Sequence, residues 1–219
     1  MPKSLQRFVV PLVILVTGFS VCPGNALAQE LAPQPELSVY YNNITAGRFN
    51  PLGFVDFFDA TARLRLFESD SDALTQNYVG LGVAGGASPA WARVGVLAIL
   101  QPLTILQFYA RYLFVGYFSS FNLFASFDSA EADFSDTAIA ERSDSPATPN
   151  YATYGAEFTA GARLQLKVGP IAVRDHVRGV HASMNMERGD VTFYDQIYDM
   201  LMPNDGWMLM NDLHVLYVS

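Results

Sequence analysis

Residues 153–168 alternate strictly between apolar side chains at even positions and polar side chains or glycine at odd positions. A helix would spread this alternation around its whole surface, because helical neighbours recur every 3.6 residues, whereas a strand places it on two opposite faces. Soluble strands usually have about five or six residues, and membrane-spanning strands need about 9–11. The segment therefore predicts a spanning strand whose polar face carries Glu157, Arg163 and Lys167.

Seven further segments have the same rhythm and are separated by turn residues such as Gly169-Pro170. They cover residues of about 37–47, 55–67, 76–86, 91–100, 106–114, 171–186 and 207–219. Outer-membrane barrels join their strands by short periplasmic turns and longer outer loops, so residues 119–150 and 187–206 are predicted outer loops. The pattern predicts an all-β fold, an antiparallel up-and-down transmembrane β-barrel with about eight strands.

Residues 94–118 offer an alternative, because this run of 25 residues is long enough to cross a bilayer as one helix. Gln101-Pro102 lies near its middle, and Gln107 and Arg111 would face hydrocarbon. Two strands with a turn at Gln101-Pro102 remove these objections. We therefore expect a hairpin here.

The segment 171–186 has a less regular pattern. Arg174, His176 and Arg178 share parity with apolar Val180 and Met184. A β-bulge in the middle of the strand would move the later apolar residues to the lipid face. We expect such a bulge. It would turn the residues that alternate with the later apolar ones, including His181, toward the lumen.

Several aromatic residues near predicted strand ends are expected at the membrane interface, namely Tyr78, Trp91, Tyr117, Tyr151, Tyr154 and Trp207.

The first 28 residues have the features of an export signal, with basic Lys3 and Arg7, an apolar run and a small-x-small site at Ala26-Leu27-Ala28. Lipoprotein processing at Cys22 is the alternative, but it needs a small preceding residue, and Val21 is not small. Cleavage leaves residues 29–219 as one barrel domain without cysteine. A closed barrel satisfies its backbone groups without disulfides.

The net charge of the chain limits which partners it could bind. The chain has 13 basic and 21 acidic residues, and removal of Lys3 and Arg7 makes it more acidic. This balance argues against nucleic acid as a partner, because phosphates would be repelled. The acidic loop 119–150 could offer oxygen ligands to calcium, but it lacks the spacing of a calcium loop, and a solvated surface is the simpler interpretation. We expect no cofactor and no metal.

With this strand pattern and export signal, the chain resembles the small bacterial outer-membrane β-barrel proteins. The resemblance implies location in the outer membrane of a Gram-negative bacterium, contact with its lipids and recognition by the barrel-assembly machinery. Such proteins usually end on an aromatic residue, whereas this chain ends Tyr217-Val218-Ser219. Either Tyr217 substitutes for that residue, or the chain is the front part of a longer barrel.

Charged residues on the predicted inner faces form one candidate site. They are expected to line the lumen, and they are Asp59, Arg63, Arg65, Arg111, Glu157, Arg163, Lys167 and Asp212. An eight-stranded barrel is only wide enough for side chains to fill, which favours a paired polar core over an open channel. In a wider barrel the same residues would line a pore for a small solute or ion.

The sequence His181-Ala182-Ser183 forms a second candidate site. Residues two apart on a strand share a face, so His181 could activate the Ser183 hydroxyl, with Asp195 orienting the histidine. The pair is similar to the His-x-Ser pair of outer-membrane lipid hydrolases, a phospholipase and a lipid A deacylase. Those families place asparagine directly after the serine, where this chain has Met184.

Three functions follow from these features. The first is a non-enzymatic outer-membrane barrel, a structural protein or small pore with ligand or contact loops outside. The second is an outer-membrane lipid esterase that uses His181 and Ser183. The third is a soluble periplasmic barrel that holds an apolar ligand, which would need its apolar faces inward and its charged faces outward.

Overall fold

The computed structural model describes residues 13–14, 35–49, 52–118, 124–145, 151–187 and 189–217. The strands are β1 Val13–Ile14, β2 Leu37–Phe49, β3 Leu52–Arg65, β4 Tyr78–Ala87, β5 Trp91–Leu103, β6 Leu106–Phe118, β7 Ser126–Phe127, β8 Ala152–Val168, β9 Ile171–Met184, β10 Thr192–Asp195, β11 Met200–Pro203 and β12 Gly206–Tyr217. A helix, α1, spans Asp136–Asp144. The predicted export signal lies outside the described residues apart from β1.

Eight long strands form one antiparallel sheet in the order β2-β3-β4-β5-β6-β8-β9-β12, with β1 beside β2. Each of the eight segments expected to be strands is a strand of this sheet. In the part of the chain that the structure describes, no ladder joins β12 to β2, so the sheet is open. The all-β, up-and-down antiparallel architecture is confirmed, and closure into a barrel is not part of the structure.

The predicted hairpin at residues 94–118 is confirmed as β5 and β6. The turn, however, lies at Thr104-Ile105, and not at Gln101-Pro102 as expected. Gln101 and Pro102 belong to β5, where the register shifts between Leu100 and Leu103. This local irregularity accommodates proline, which cannot donate to a ladder. No helix among the described residues is long and apolar enough to cross a membrane.

The sheet is curved, so that side chains from alternate strands meet on its concave face. In a flat sheet, two strands on either side of a third are about 9.5 Å apart. The rings of Phe57 on β3 and Trp91 on β5, which flank β4, have centroids only 5.7 Å apart. The Tyr109 hydroxyl on β6 likewise lies 2.7 Å from His176 Nε2 on β9. The opposite face is convex and exposed.

The predicted bulge in β9 is wrong. The ladders of β9 with β8 and β12 run without interruption, so Arg178 and Val180 lie on the same, concave face. Val180 and Met184 are buried there. Their partners are apolar residues of the two segments predicted to be outer loops, which form one cluster with them and include Phe193 and Met202.

The two predicted outer loops are folded segments that pack together. A second, three-stranded sheet has the order β11-β10-β7 and joins residues of both loops. Helix α1 is attached to it by Arg142, which lies 3.8 Å from Asp190. Phe124 is almost fully buried and contacts the rings of Tyr117 and Phe193. We call this assembly, residues 124–145 and 189–203, the cap.

The cap also overturns part of the expected aromatic interface. Tyr78, Trp91 and Tyr117 are buried on the concave face. Only Tyr154 and Trp207 of that predicted set stand exposed on the convex face. Trp91 and Tyr117 lie at the cap end, where they belong to the apolar core that includes residues of the cap. Tyr78 lies at the opposite end, against the Arg63 guanidinium and Gln107.

Candidate functional site

A buried ionic cluster joins the cap to the sheet. Arg93 on β5 lies 3.3 Å from Glu157 on β8 and 3.8 Å from Asp195 on β10. All three side chains are at most 6% exposed. Thr159 donates a hydrogen bond to Glu157, and Asp195 accepts one from Tyr117. Arg93 is held mainly by charge, since its Nε and Nη2 have no hydrogen-bond partner among the described residues, and a buried charge is tolerated when it is paired.

Tyr198, in the turn between β10 and β11, extends this cluster. Its hydroxyl lies 3.5 Å from a Glu157 carboxylate oxygen, to which it donates. Burial raises the pKa of Tyr198 well above its ordinary value, and the nearby charges of Glu157 and Asp195 raise it further. The phenol therefore stays protonated and remains a donor at neutral pH.

Arginines from three adjacent strands define a second group on the concave face, farther from the cap. Gly161 on β8 is opposite Tyr109 on β6 and Arg178 on β9. Arg163 follows Gly161 by two residues on the same face, and Arg111 follows Tyr109 by two. We call Arg111, Arg163 and Arg178 the arginine cluster.

The ladders place every residue of the expected lumen set on the concave face. Asp59, Arg63 and Arg65 of β3 face the same way as Tyr78, whose ring lies beneath the Arg63 guanidinium at 4.6 Å. The remaining members, Arg111, Glu157, Arg163, Lys167 and Asp212, follow from the unbroken registers. Arg65 pairs with Glu68, and Lys167 is exposed at the end remote from the cap.

Several residues of the concave face were not among the expected ones. Arg93 is the one charged residue in the apolar segment 91–100 and shares parity with buried Trp91 and Leu97, a signal that could have revealed it. His176 and Arg178 precede the wrongly expected bulge and share the parity of Arg174, a signal that could have placed them on the charged face. Asp195 approaches Arg93 only because the cap folds inward, for which the local sequence gives no signal.

The structure separates Asp195 from the other two residues of the candidate esterase. His181 and Ser183 lie on the convex face and not toward the concave side as expected, because β9 has no bulge. The His181 ring packs against that of Trp207, with centroids 5.3 Å apart. Asp195 lies buried beside Arg93 on the opposite side of the sheet. The described residues therefore bring His181 and Ser183 to one face but do not bring Asp195 to them.

The acidic loop residues are dispersed in the cap. The Ser135 backbone N–H donates to Asp133 and lowers the pKa of that carboxyl. Across the described ranges, no group of three or more histidine, cysteine, aspartate or glutamate side chains is placed to hold a metal. Comparison of the chain with protein families, with curated proteins and with solved structures found no match.

Proposed function

We propose that this chain is a non-enzymatic outer-membrane β-barrel, in which the eight-stranded sheet closes, the convex face contacts lipid and the cap forms the outward contact surface. The observation that carries the proposal is the apolar convex face. On strand after strand it exposes large hydrophobic side chains, including Val39, Leu81, Val96, Phe114, Leu209 and Val215. Contiguous apolar surface of this extent is a liability in water and is what lipid requires.

The dimensions of this face support the proposal. On β3 its apolar residues are Phe58, Ala60, Ala62 and Leu64, which follow one another at every second position. At about 3.3 Å per residue they cover about 20 Å along the strand. The apolar band of outer-membrane barrels is about 25 Å tall. More polar residues follow toward the cap end, where Asn43 and Thr45 bond Asp56.

The strand directions support closure. β2 and β12 run in opposite directions, since seven successive antiparallel ladders separate them. Their pairing would complete an antiparallel barrel of eight strands, a size that bacterial barrels use. Unpaired backbone groups at an open edge are costly in hydrocarbon, so insertion itself favours this pairing.

The cap favours a plugged barrel over an open pore. Leu113 and Val180 of the sheet are buried together with Phe124 and Met202 of the cap. Beside these residues, the ion pair of Arg93 with Asp195 fixes the β10–β11 hairpin of the cap against the sheet. Side chains therefore occupy the cap end of the concave space, as expected for a small barrel. A structural or contact role follows more directly than conduction.

The other two functions have weaker support. A soluble barrel with an internal apolar ligand would need charges on the convex face, which instead exposes large apolar side chains. A lipid esterase has one observation in its favour, the position of His181 and Ser183 on the convex face, where a lipid ester would meet them. The position of Asp195 leaves that pair without its expected orienting carboxylate.

The test is cell fractionation combined with heat-modifiable gel mobility of the mature protein refolded in detergent. We expect the protein in the outer-membrane fraction and faster migration before boiling than after it, because a closed barrel resists the gel detergent. Membrane association without a mobility shift would indicate an incomplete barrel. Recovery in the soluble periplasmic fraction would overturn the proposal.

A further inference from the structure

The arginine cluster has more positive charge than its neighbours neutralise. Arg178 pairs with Asp212 at 2.5 Å. Arg163 donates to Gln107 and lies over the Tyr109 ring, without a carboxylate at ion-pair distance among the described residues. Arg111 makes no hydrogen bond or ion pair within the described ranges, and its Nε is buried without a partner. Buried donors in native proteins are nearly always satisfied, so this Nε, unlike the nitrogens of Arg93 beside two carboxylates, is available to an anion.

Geometry brings the three guanidinium groups toward one region. Their strands β6, β8 and β9 are adjacent, with Arg178 opposite Gly161, Arg163 two residues along β8, and Arg111 opposite Thr159. A Cβ at Gly161 would lie 2.8 Å from the Tyr109 ring, so the glycine makes room for this ring. The Arg163 guanidinium lies 5.0 Å from the centre of the Tyr109 ring. The Tyr109 hydroxyl lies 2.7 Å from His176 Nε2, and Arg178 Nη1 lies 3.0 Å from the other ring nitrogen of that histidine.

Space adjoins the cluster. A cavity of about 410 Å³ lies between the β10–β11 hairpin of the cap and β12, and its lining includes Arg178, Tyr198 and Asp212. This volume exceeds that of a small inorganic ion with a hydration shell. Arg178 is the member of the arginine cluster in this lining, which also includes Leu209 and Asn211 of the edge strand β12. The three arginines themselves lie on the concave face, away from the convex surface, so a free ion is a more suitable occupant than the headgroup of a surrounding lipid.

We propose that the arginine cluster binds a small tetrahedral oxyanion of the phosphate class on the concave face. The planar donor fork of arginine matches the oxygen spacing of such ions. Arg111 and Arg163 provide the uncompensated charge, and Arg178, held by Asp212, completes the group from the third strand. This inference goes beyond the proposed function and requires only the folded sheet.

The experiment is a calorimetric titration of inorganic phosphate into the mature protein, refolded in a phosphate-free sugar detergent at neutral pH and constant ionic strength. We expect saturable binding with one phosphate per chain. Arg111→Gln and Arg163→Gln should each weaken binding by at least about tenfold, because each removes charged donors to the ion. Arg65→Gln is the matched control, since Arg65 lies on the same face but pairs with Glu68. Its affinity should stay within about twofold of the wild type.

Folding of each variant is checked by the heat-modifiable shift or by tyrosine fluorescence. If a glutamine variant does not fold, Arg111→Lys keeps the charge but loses the fork, and it should weaken binding while retaining the fold. The inference is overturned if the folded wild type shows no saturable phosphate binding. It is also overturned if the Arg111→Gln and Arg163→Gln variants bind phosphate as tightly as the wild type does. If the protein shows the heat-modifiable gel mobility but does not bind phosphate, only the phosphate site is overturned. If the protein binds phosphate but is found only in the soluble fraction, only the membrane proposal is overturned.

Discussion

At the scale of single residues, Arg93 illustrates how a buried charge connects distant parts of the chain. It is flanked by Glu157 of the sheet and Asp195 of the cap, and its guanidinium also lies 4.7 Å from the centre of the Trp91 ring. Tyr198 and Thr159 donate to Glu157 and thereby stabilise its negative charge. Removing the cation would leave two buried carboxylates unpaired, which is the costly way to disrupt such a cluster.

We therefore expect Arg93→Gln to lower the free energy of unfolding by about 3–5 kcal/mol at neutral pH. Urea unfolding of the refolded protein in detergent measures the effect. Glu157→Gln is the control and should cost less, because Asp195 still neutralises Arg93. Equal unfolding midpoints for Arg93→Gln and the wild type would contradict this role.

The pair His181 and Ser183 gives a second prediction at this scale. Because Asp195 lies on the other face, we expect Ser183→Ala to leave the hydrolysis of short-chain nitrophenyl esters and of phospholipid vesicles unchanged. The assay compares the purified wild type with Ser183→Ala and His181→Ala. A rate that falls by about a hundredfold or more in both variants would establish the esterase instead, since that is the scale of a lost catalytic base.

At the scale of elements, the cap shows that the two long connecting segments fold as one unit. Strand β10 pairs with β11 in its own loop and with β7 in the other loop. Around Phe124 the rings of Tyr117, Tyr151 and Phe193 lie within 5.8 Å between centroids. This packing, and not a local turn signal, determines the shape of the loops.

Phe124→Ala should loosen the cap while the sheet remains intact. Deletion of a buried phenylalanine side chain costs about 3–5 kcal/mol, and here the cost falls on a small subdomain. We expect faster tryptic cleavage at Arg142 in α1, with the heat-modifiable mobility retained. Phe134→Ala is the control, because Phe134 is 38% exposed and its removal should change the cleavage rate little. Unchanged cleavage in Phe124→Ala would show that the cap does not depend on this ring.

At the scale of the whole molecule, the two faces of the sheet have opposite chemistry. The convex face exposes apolar side chains on all eight long strands, and the concave face holds the charged residues and the core under the cap. A charged side chain at an exposed position costs little free energy in water and much more in lipid. A charge substituted into the convex face therefore distinguishes the two environments.

Leu81→Arg should destabilise the protein in bilayers by about 2–4 kcal/mol if the middle of the convex face meets lipid. Leu81 is 66% exposed, so the same change in water should alter stability by no more than about 0.5 kcal/mol. Val168→Arg is the matched control at the end of β8, where the cost should be about 0–1 kcal/mol. Reversible unfolding from lipid vesicles measures the difference, and equal costs at both positions would contradict a lipid-facing band.

The sequence alone determined the eight long strands and the two faces of most of them, because alternation is a local property of the chain and neighbouring strands in an up-and-down sheet pair in order. It also identified Arg111, Glu157 and Arg163 as members of one face. Only the tertiary structure decided which way Val180, Met184 and Trp91 point, since they face inward against the cap, where an apolar core replaces lipid as their partner. It likewise decided that Asp195 meets Arg93. These contacts join residues far apart in sequence, so hydrophobicity alone cannot distinguish a lipid-facing side chain from one buried under folded loops.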